Sequence, residues 1–270
     1  MKSVFCATLF ALGLGLGPVA AQDPPPFKDF SAKRVKPPSA GAQNRITVQI
    51  DPAQTQSAAI SEPTTSDATS DAVPRAARFD WFWNDVSPNI EDSGPGRLDL
   101  AMRALARSEA SVPVPRLQQM QALAQSRGID ILKATIGTDV SPALVLAVMM
   151  VESGGVADAI SGAGAQGLMQ LMPDTATRFG VTDSFEPAQN IEGGVKYLNW
   201  LMGTFDRDPV LVLAGYNAGE GSVRKHQGVP PFAETRDYVP KVLATFQLAR
   251  GLCITPPELV TDGCVFATMN

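Results

Sequence analysis

The sequence predicts a mainly α-helical domain with at most a small irregular β element, preceded by a disordered linker. Three observations carry this reading. From residue 96 onward, apolar side chains recur at helical spacing in one segment after another. Prolines and capping residues stand where those segments begin. Residues 22–78 are instead rich in Pro, Ala, Ser, Thr, Gln and Asp, as in Asp23-Pro24-Pro25-Pro26. Such a segment cannot bury enough apolar surface to offset chain entropy.

Residues 1–21 read as a signal peptide. Lys2 supplies the positive start, Val4 to Val19 is nearly all apolar or small, and Val19-Ala20-Ala21 fits a cleavage site, which makes Gln22 the expected mature start. The apolar run is short for a membrane span, so an uncleaved anchor is the lesser reading. Residues 22–95 are assigned as the linker. Within it Ile46-Thr47-Val48-Gln49-Ile50 alternates like a short strand, and Phe79-Asp80-Trp81-Phe82-Trp83 is an abrupt aromatic cluster. Large aromatics seek burial, so the cluster is read first as an anchor on the following domain. A sugar-stacking or partner-docking patch is the alternative.

Residues 96–250 form the expected domain. Leu98, Met102 and Leu105 share one helical face. Pro115 opens a second helix carrying Leu117, Met120 and Ala124, with Gly128 as its stop. Ser141-Pro142 is an N-cap with proline at the first helical position. The run Ala143 to Val151 that follows is apolar on every side, which marks a buried helix. Asn190 is expected to cap a helix in which Ile191, Val195, Leu198, Met202 and Phe205 follow the 3.6-residue period. Asp208-Pro209 opens the next, and Thr235 to Arg250 forms a last long helix interrupted or kinked by Pro240. The Gly/Ala/Ser-rich connection 154–167 is where a small β element could sit. Residues 251–270 are a tail. In an exported chain its two cysteines, Cys253 and Cys264, suggest a disulfide.

Composition excludes several kinds of chemistry. One histidine, His226, leaves no room for the ligand sets of zinc hydrolases, and any Ser-His-Asp or Cys-His catalysis would have to run through it. The formal charge of −5 lacks the basic footprint of a nucleic-acid binder.

One carboxylate stands out. Glu152 ends the fully apolar helix, where desolvation and the negative end of the helix dipole both disfavour its charged form. A carboxyl held protonated near neutrality suits a general acid. Around it in sequence are Glu152-Ser153-Gly154, then Ser161-Gly162-Ala163-Gly164-Ala165-Gln166-Gly167-Leu168-Met169-Gln170-Leu171-Met172-Pro173, then Ala214-Gly215-Tyr216-Asn217-Ala218-Gly219, then Glu234-Thr235-Arg236-Asp237-Tyr238-Val239. In order and spacing this set resembles the catalytic domain of the soluble lytic transglycosylases, the SLT family of lysozyme-like folds, over roughly Val114 to Arg250. Departures are Gly155-Val156-Ala157, where an aromatic and a proline are usual, and Gly215 in place of a more usual alanine.

The resemblance implies a goose-lysozyme or SLT-type helical fold that needs no metal or cofactor. It implies Glu152 as the catalytic acid, Tyr216 and Tyr238 as hydrogen-bonding residues that tune that acid, and Ser161, Gln170, Met172 and Asn217 as residues facing the active site or seating the sugars. The reaction implied is cleavage of the β-1,4 bond between N-acetylmuramic acid and N-acetylglucosamine in peptidoglycan. Glu152 protonates the leaving oxygen and then takes the proton of the muramic C6 hydroxyl, which gives a 1,6-anhydro end without consuming water. Ordinary glycosidases use two carboxylates. Asp158, Asp174, Asp183, Glu192 and Asp237 are the candidates for a second one, and all have more polar settings. Two other readings are carried forward. One is a goose-type lysozyme that hydrolyses the same bond. The other is a structural component of an envelope-spanning secretion or flagellar machine, tethered through residues 22–95. Signal and resemblance together imply an exported, periplasmic protein with no membrane span after signal cleavage.

Overall fold

The computed structural model describes residues 77–108 and 111–267. The expected signal peptide, most of the linker and the alternating stretch Ile46–Ile50 lie outside them. The order is α1 (Phe82–Asp85), α2 (Arg97–Arg107), α3 (Leu117–Thr135), α4 (Pro142–Glu152), α5 (Pro173–Arg178), α6 (Pro187–Thr204), α7 (Pro209–Ala218), α8 (Glu220–Lys225) and α9 (Ala233–Ala249). Short 3-10 turns follow α1 at Ile90–Asp92 and α9 at Arg250–Leu252. Among the described residues β structure is confined to isolated bridges. Two of them, Ile160 with Gln166 and Gln166 with Leu171, form the small irregular element expected in the glycine-rich connection.

Helix α4 is the central post. Ser141 caps it by accepting the Ala143 N–H, Pro142 opens it, and every residue from Pro142 to Met150 is buried. Helix α9 packs most extensively against it, α3 covers another side, and α7 packs on α9. Asp208 caps α7 through the Leu211 N–H, and the residues from Pro209 to Tyr216 are buried. Two buried helices with little amphipathic character thus lie inside a shell of amphipathic ones, as their sequences dictate.

Three local expectations are corrected. Gly128 does not stop α3, which continues to Thr135 because Ile131 extends the buried stripe of Met120, Leu123 and Ala124. Asn190 does not cap α6. Glu186 does so, through the Ala188 and Gln189 amides, while Asn190 lies buried in the first turns of the helix. There its Oδ1 accepts the Met169 N–H at 2.7 Å, and its Nδ2 donates to the carbonyls of Gln166 and Ser184, both at 3.0 Å. It fastens the connection before α5 to the helix layer. Gly167 makes this fit possible, since its φ is +78° and a Cβ there would collide with the Ser184 carbonyl and the Asn190 amide. Asn190→Ala strands buried polar groups, and the expected loss is about 2–4 kcal/mol in urea unfolding. A loss below about 0.5 kcal/mol would contradict this role.

The third correction concerns the linker. Packing begins well before residue 96. Phe79, Phe82 and Val86 belong to the same core as α4. The Ile90 N–H donates to the Gln227 carbonyl at 2.9 Å, and the Val229 N–H to Pro88 at 2.8 Å. Arg97 and Asp208 form a buried ion pair at 3.1 Å that ties the start of α2 to the cap of α7. The aromatic cluster is therefore an anchor. Beyond α9, Cys253 and Cys264 lie with sulfurs at bonding distance and Cα atoms 5.4 Å apart, and Phe266 is buried behind them.

Candidate active site

Where α4 ends, a cleft of about 590 Å³ opens between the 154–172 connection on one side and the ends of α7 and α9 on the other. All seven residues singled out in the sequence line it: Glu152, Ser161, Gln170, Met172, Tyr216, Asn217 and Tyr238. They come from four separate stretches of chain, which only the folded helix layers bring together.

Glu152 is half-buried, with the Tyr238 hydroxyl donating to its Oε1 at 2.7 Å. Burial raises its carboxyl to about 7. The Tyr238 hydrogen bond opposes that rise, and the Glu234 carboxylate adds to it. The desolvation follows from sequence: the nine residues from Pro142 to Met150 on α4 are all buried, so the helix delivers Glu152 from the core. The Tyr238 hydroxyl is itself pushed well up by burial and by Glu152, and it stays a donor.

The other side chains build the walls. Tyr216 does not bond to Glu152 as expected. Its hydroxyl donates to the Met169 carbonyl at 2.8 Å, because that buried carbonyl needs a partner where the connection crosses α7. Ser153 works similarly: its hydroxyl contacts the Leu168 carbonyl at 2.8 Å, holding the connection against the end of α4. Ser161 accepts the Ala165 N–H at 3.0 Å, closing a small turn at the rim. Gln170 sits in the left-handed region at φ +48°, rare for a residue with a Cβ. Its Nε2 stabilises that conformation by donating to the carbonyls of Ala159 and Gly167. Asn217 accepts the Thr235 hydroxyl at 2.7 Å, joining the end of α7 to the start of α9. Met172 is an exposed apolar rim residue.

Sequence reasoning missed several cleft residues: Thr175, Tyr197, Glu234 and Lys241. Glu234, Tyr238 and Lys241 lie four and three residues apart on α9, one helical face, and that spacing was a usable signal. Of the carboxylates proposed as a second acid, Asp158, Asp174, Asp183 and Glu192 are exposed and do not line the cleft. Asp237 is buried, but its carboxylate accepts the Arg78 and Phe79 amides and does not line the cleft. Glu234 is the second cleft carboxylate. His226 ends α8 with Nδ1 on the Ser222 carbonyl at 2.9 Å, outside the cleft. Among the described residues no His, Cys, Asp or Glu group could hold a metal, and no helix is long and apolar enough to cross a membrane.

A helical domain with one desolvated carboxyl at the head of a polar cleft defines a class, and the comparisons agree on which. Residues 131–239 match the family model described as the transglycosylase SLT domain. The chain is 36% identical over 133 residues to the soluble lytic murein transglycosylase of Salmonella typhimurium, which covers 41% of this chain and 21% of the relative. It is also 36% identical over 113 residues to the transglycosylase of Enterobacteria phage PRD1, covering 42% of this chain and 40% of the relative. Among solved structures, the 70 kDa soluble lytic transglycosylase of Escherichia coli aligns with a TM-score of 0.43 and 25% identity, over 64% of this chain and 30% of that one. The chain thus spans between a fifth and two fifths of the length of these curated relatives.

Proposed function

We propose that the protein is an exported peptidoglycan lytic transglycosylase in which Glu152 acts first as acid and then as base. The observation that carries this is the Glu152 carboxyl itself, raised to about 7 and held by Tyr238 at the head of a polar cleft of about 590 Å³. A carboxyl that keeps a substantial protonated fraction near neutral pH can deliver its proton to the glycosidic oxygen between N-acetylmuramic acid and N-acetylglucosamine. Once ionised, it can take the proton of the muramic C6 hydroxyl as that oxygen closes on C1. The substrate's acetamido group stabilises the cationic centre between the two steps. Tyr238 aims the carboxyl, while Ser161, Gln170, Met172, Tyr216 and Asn217 shape the groove that seats the sugars. The names of the curated relatives support this reading. A hydrolytic reading of the goose-lysozyme kind has one observation in its favour, the Glu234 carboxylate in the same cleft.

We further propose that the active unit includes the aromatic anchor Phe79–Trp83 and the Cys253–Cys264 segment besides residues 96–250, and works in the periplasm, where that disulfide forms. Mass analysis of exported protein is expected to show both thiols blocked to alkylation until reduced. Free thiols in freshly isolated protein would contradict the placement.

Activity follows from the state of Glu152. The free enzyme needs its carboxyl protonated, so kcat/KM on purified peptidoglycan is expected to fall as pH rises through about 7. In Tyr238→Phe the carboxylate loses the hydrogen bond that favoured its charged form. The alkaline limb then moves to higher pH while turnover drops about tenfold or more. An unmoved or lowered limb would contradict the role given to Tyr238.

A further inference from the structure

Helix α9 contains a proline where a helix should fail. Pro240 has no N–H, so the carbonyl four residues earlier, that of Arg236, loses its helical donor. A buried orphan carbonyl costs about 1–3 kcal/mol, yet α9 runs unbroken from Ala233 to Ala249. The missing donor comes from outside the helix. The indole N–H of Trp83 donates to the Arg236 carbonyl at 3.1 Å, across 153 residues of sequence. The Arg236 guanidinium lies over the Trp83 ring at 5.8 Å, and Phe82 meets that ring edge-on at 5.0 Å. One residue further along α9, Asp237 accepts the amides of Arg78 at 2.7 Å and Phe79 at 3.2 Å, with the Arg78 side chain as a third donor at 3.3 Å. The next residue is Tyr238, whose hydroxyl holds Glu152. The matched family domain begins at residue 131, so this clamp comes from chain that precedes it.

We propose that Trp83 and Asp237 are positioning residues for the reaction: the segment Arg78–Trp83 repairs the proline gap in α9 and thereby fixes where the Tyr238 hydroxyl meets Glu152. The inference rests on Glu152 being the working acid, as argued above. The groups that face Glu152 are Tyr238, Glu234 and Lys241 from α9, Tyr216 from α7 and Tyr197 from α6. The lining residues of the 154–172 connection carry no titratable side chain. Of these groups, those on α9 sit in the helix that the clamp holds.

The test is Trp83→Phe, which keeps a ring in the aromatic cluster and deletes the donor, with Asp237→Asn as the second variant. Two readouts are taken on the full chain: the Glu152 carboxyl titration by 13C NMR, and kcat against KM on peptidoglycan. In both variants we expect the Glu152 titration to move upward, in the direction of Tyr238→Phe. We expect kcat to fall about three- to tenfold at little change in KM, as for lost transition-state positioning. Trp83→Phe combined with Pro240→Ala should recover both, because alanine returns the helical donor to the Arg236 carbonyl. If both single variants melt earlier but leave the Glu152 titration and kcat unchanged, the segment is only a structural anchor and the proposal falls. A shifted titration without rescue by Pro240→Ala would also overturn the proline-gap account. The NMR readout needs no activity, so a wild-type chain that fails to cut peptidoglycan would defeat the functional reading and leave this inference separately measurable.

Discussion

Glu152→Gln is expected to lower turnover of peptidoglycan by about 10²–10⁴-fold, the range for removing a positioned acid–base group, while glycan binding is retained. Glutamine keeps the shape and can still accept the Tyr238 hydroxyl, so the cleft walls stay in place. Activity within tenfold of the wild type would end the assignment. The same substitution has a second, opposite effect on stability. The folded carboxyl titrates near 7 against an ordinary 4.5. Between those values the folded state holds a proton that the unfolded chain has lost. Stability therefore falls as pH rises through that window, and the full cost stands above about pH 7. That cost is up to about 3 kcal/mol. Glu152→Gln removes it, so the inactive variant should melt later than the wild type at pH 8. At pH 4, where both states are largely protonated, the gap should close. A variant that is no more stable at pH 8 would mean that Glu152 is not desolvated as the cleft requires.

The largest loss of stability is expected from Asp208→Ala. Asp208 is fully buried and serves three structures at once. It caps α7 through the Leu211 N–H at 2.8 Å, accepts the Gly94 N–H at 2.8 Å, and pairs with Arg97, whose side chain is 3% exposed. Truncation leaves the Arg97 charge buried without its partner and strips the cap. Breaking a buried pair from one side costs about 3–5 kcal/mol, and a lost cap about 1 more. Arg97 also donates to the carbonyls of Asn89 and Asp92, so residues 89–97 should loosen with it. Urea unfolding that shifts by less than about 1 kcal/mol would show the pair to be dispensable. Replacing both charges by apolar residues of matched volume should cost much less than Asp208→Ala alone, since the penalty is mostly the stranded charge.

What could be read from sequence, and what could not, divides along physical lines. The buried helix α4, its Ser141-Pro142 start and the Asp208-Pro209 start of α7 follow from local periodicity and capping, which the chain states within ten or so residues. Glu152 was legible for the same reason: an apolar run ending in a carboxylate already implies desolvation. The partners of polar groups were not legible, because they are chosen by tertiary contact. Asn190 reads locally as a cap, yet it is used to hold three backbone groups of a loop about twenty residues earlier and of the turn before α6. Tyr216 reads as a partner for Glu152, but the Met169 carbonyl claims its hydroxyl. Gly128 reads as a stop, yet the buried face that continues to Ile131 outweighs the glycine's cost of about 1 kcal/mol. The boundary at residue 96 failed for a related reason. Low-complexity composition describes residues 22–78 well, but Phe79, Phe82 and Val86 are core residues of the domain that follows. Pro240 read as a break, and only the folded chain shows Trp83 supplying what it lacks.

The most direct test of the account is digestion of purified peptidoglycan with the mature chain, followed by mass analysis of the released muropeptides. Ring closure by Glu152 acting in turn as acid and base predicts disaccharide products about one water, roughly 18 mass units, lighter than hydrolysis products. Fully hydrated products would contradict it and make the protein a lysozyme, with Glu234 the first residue to examine as the second carboxylate.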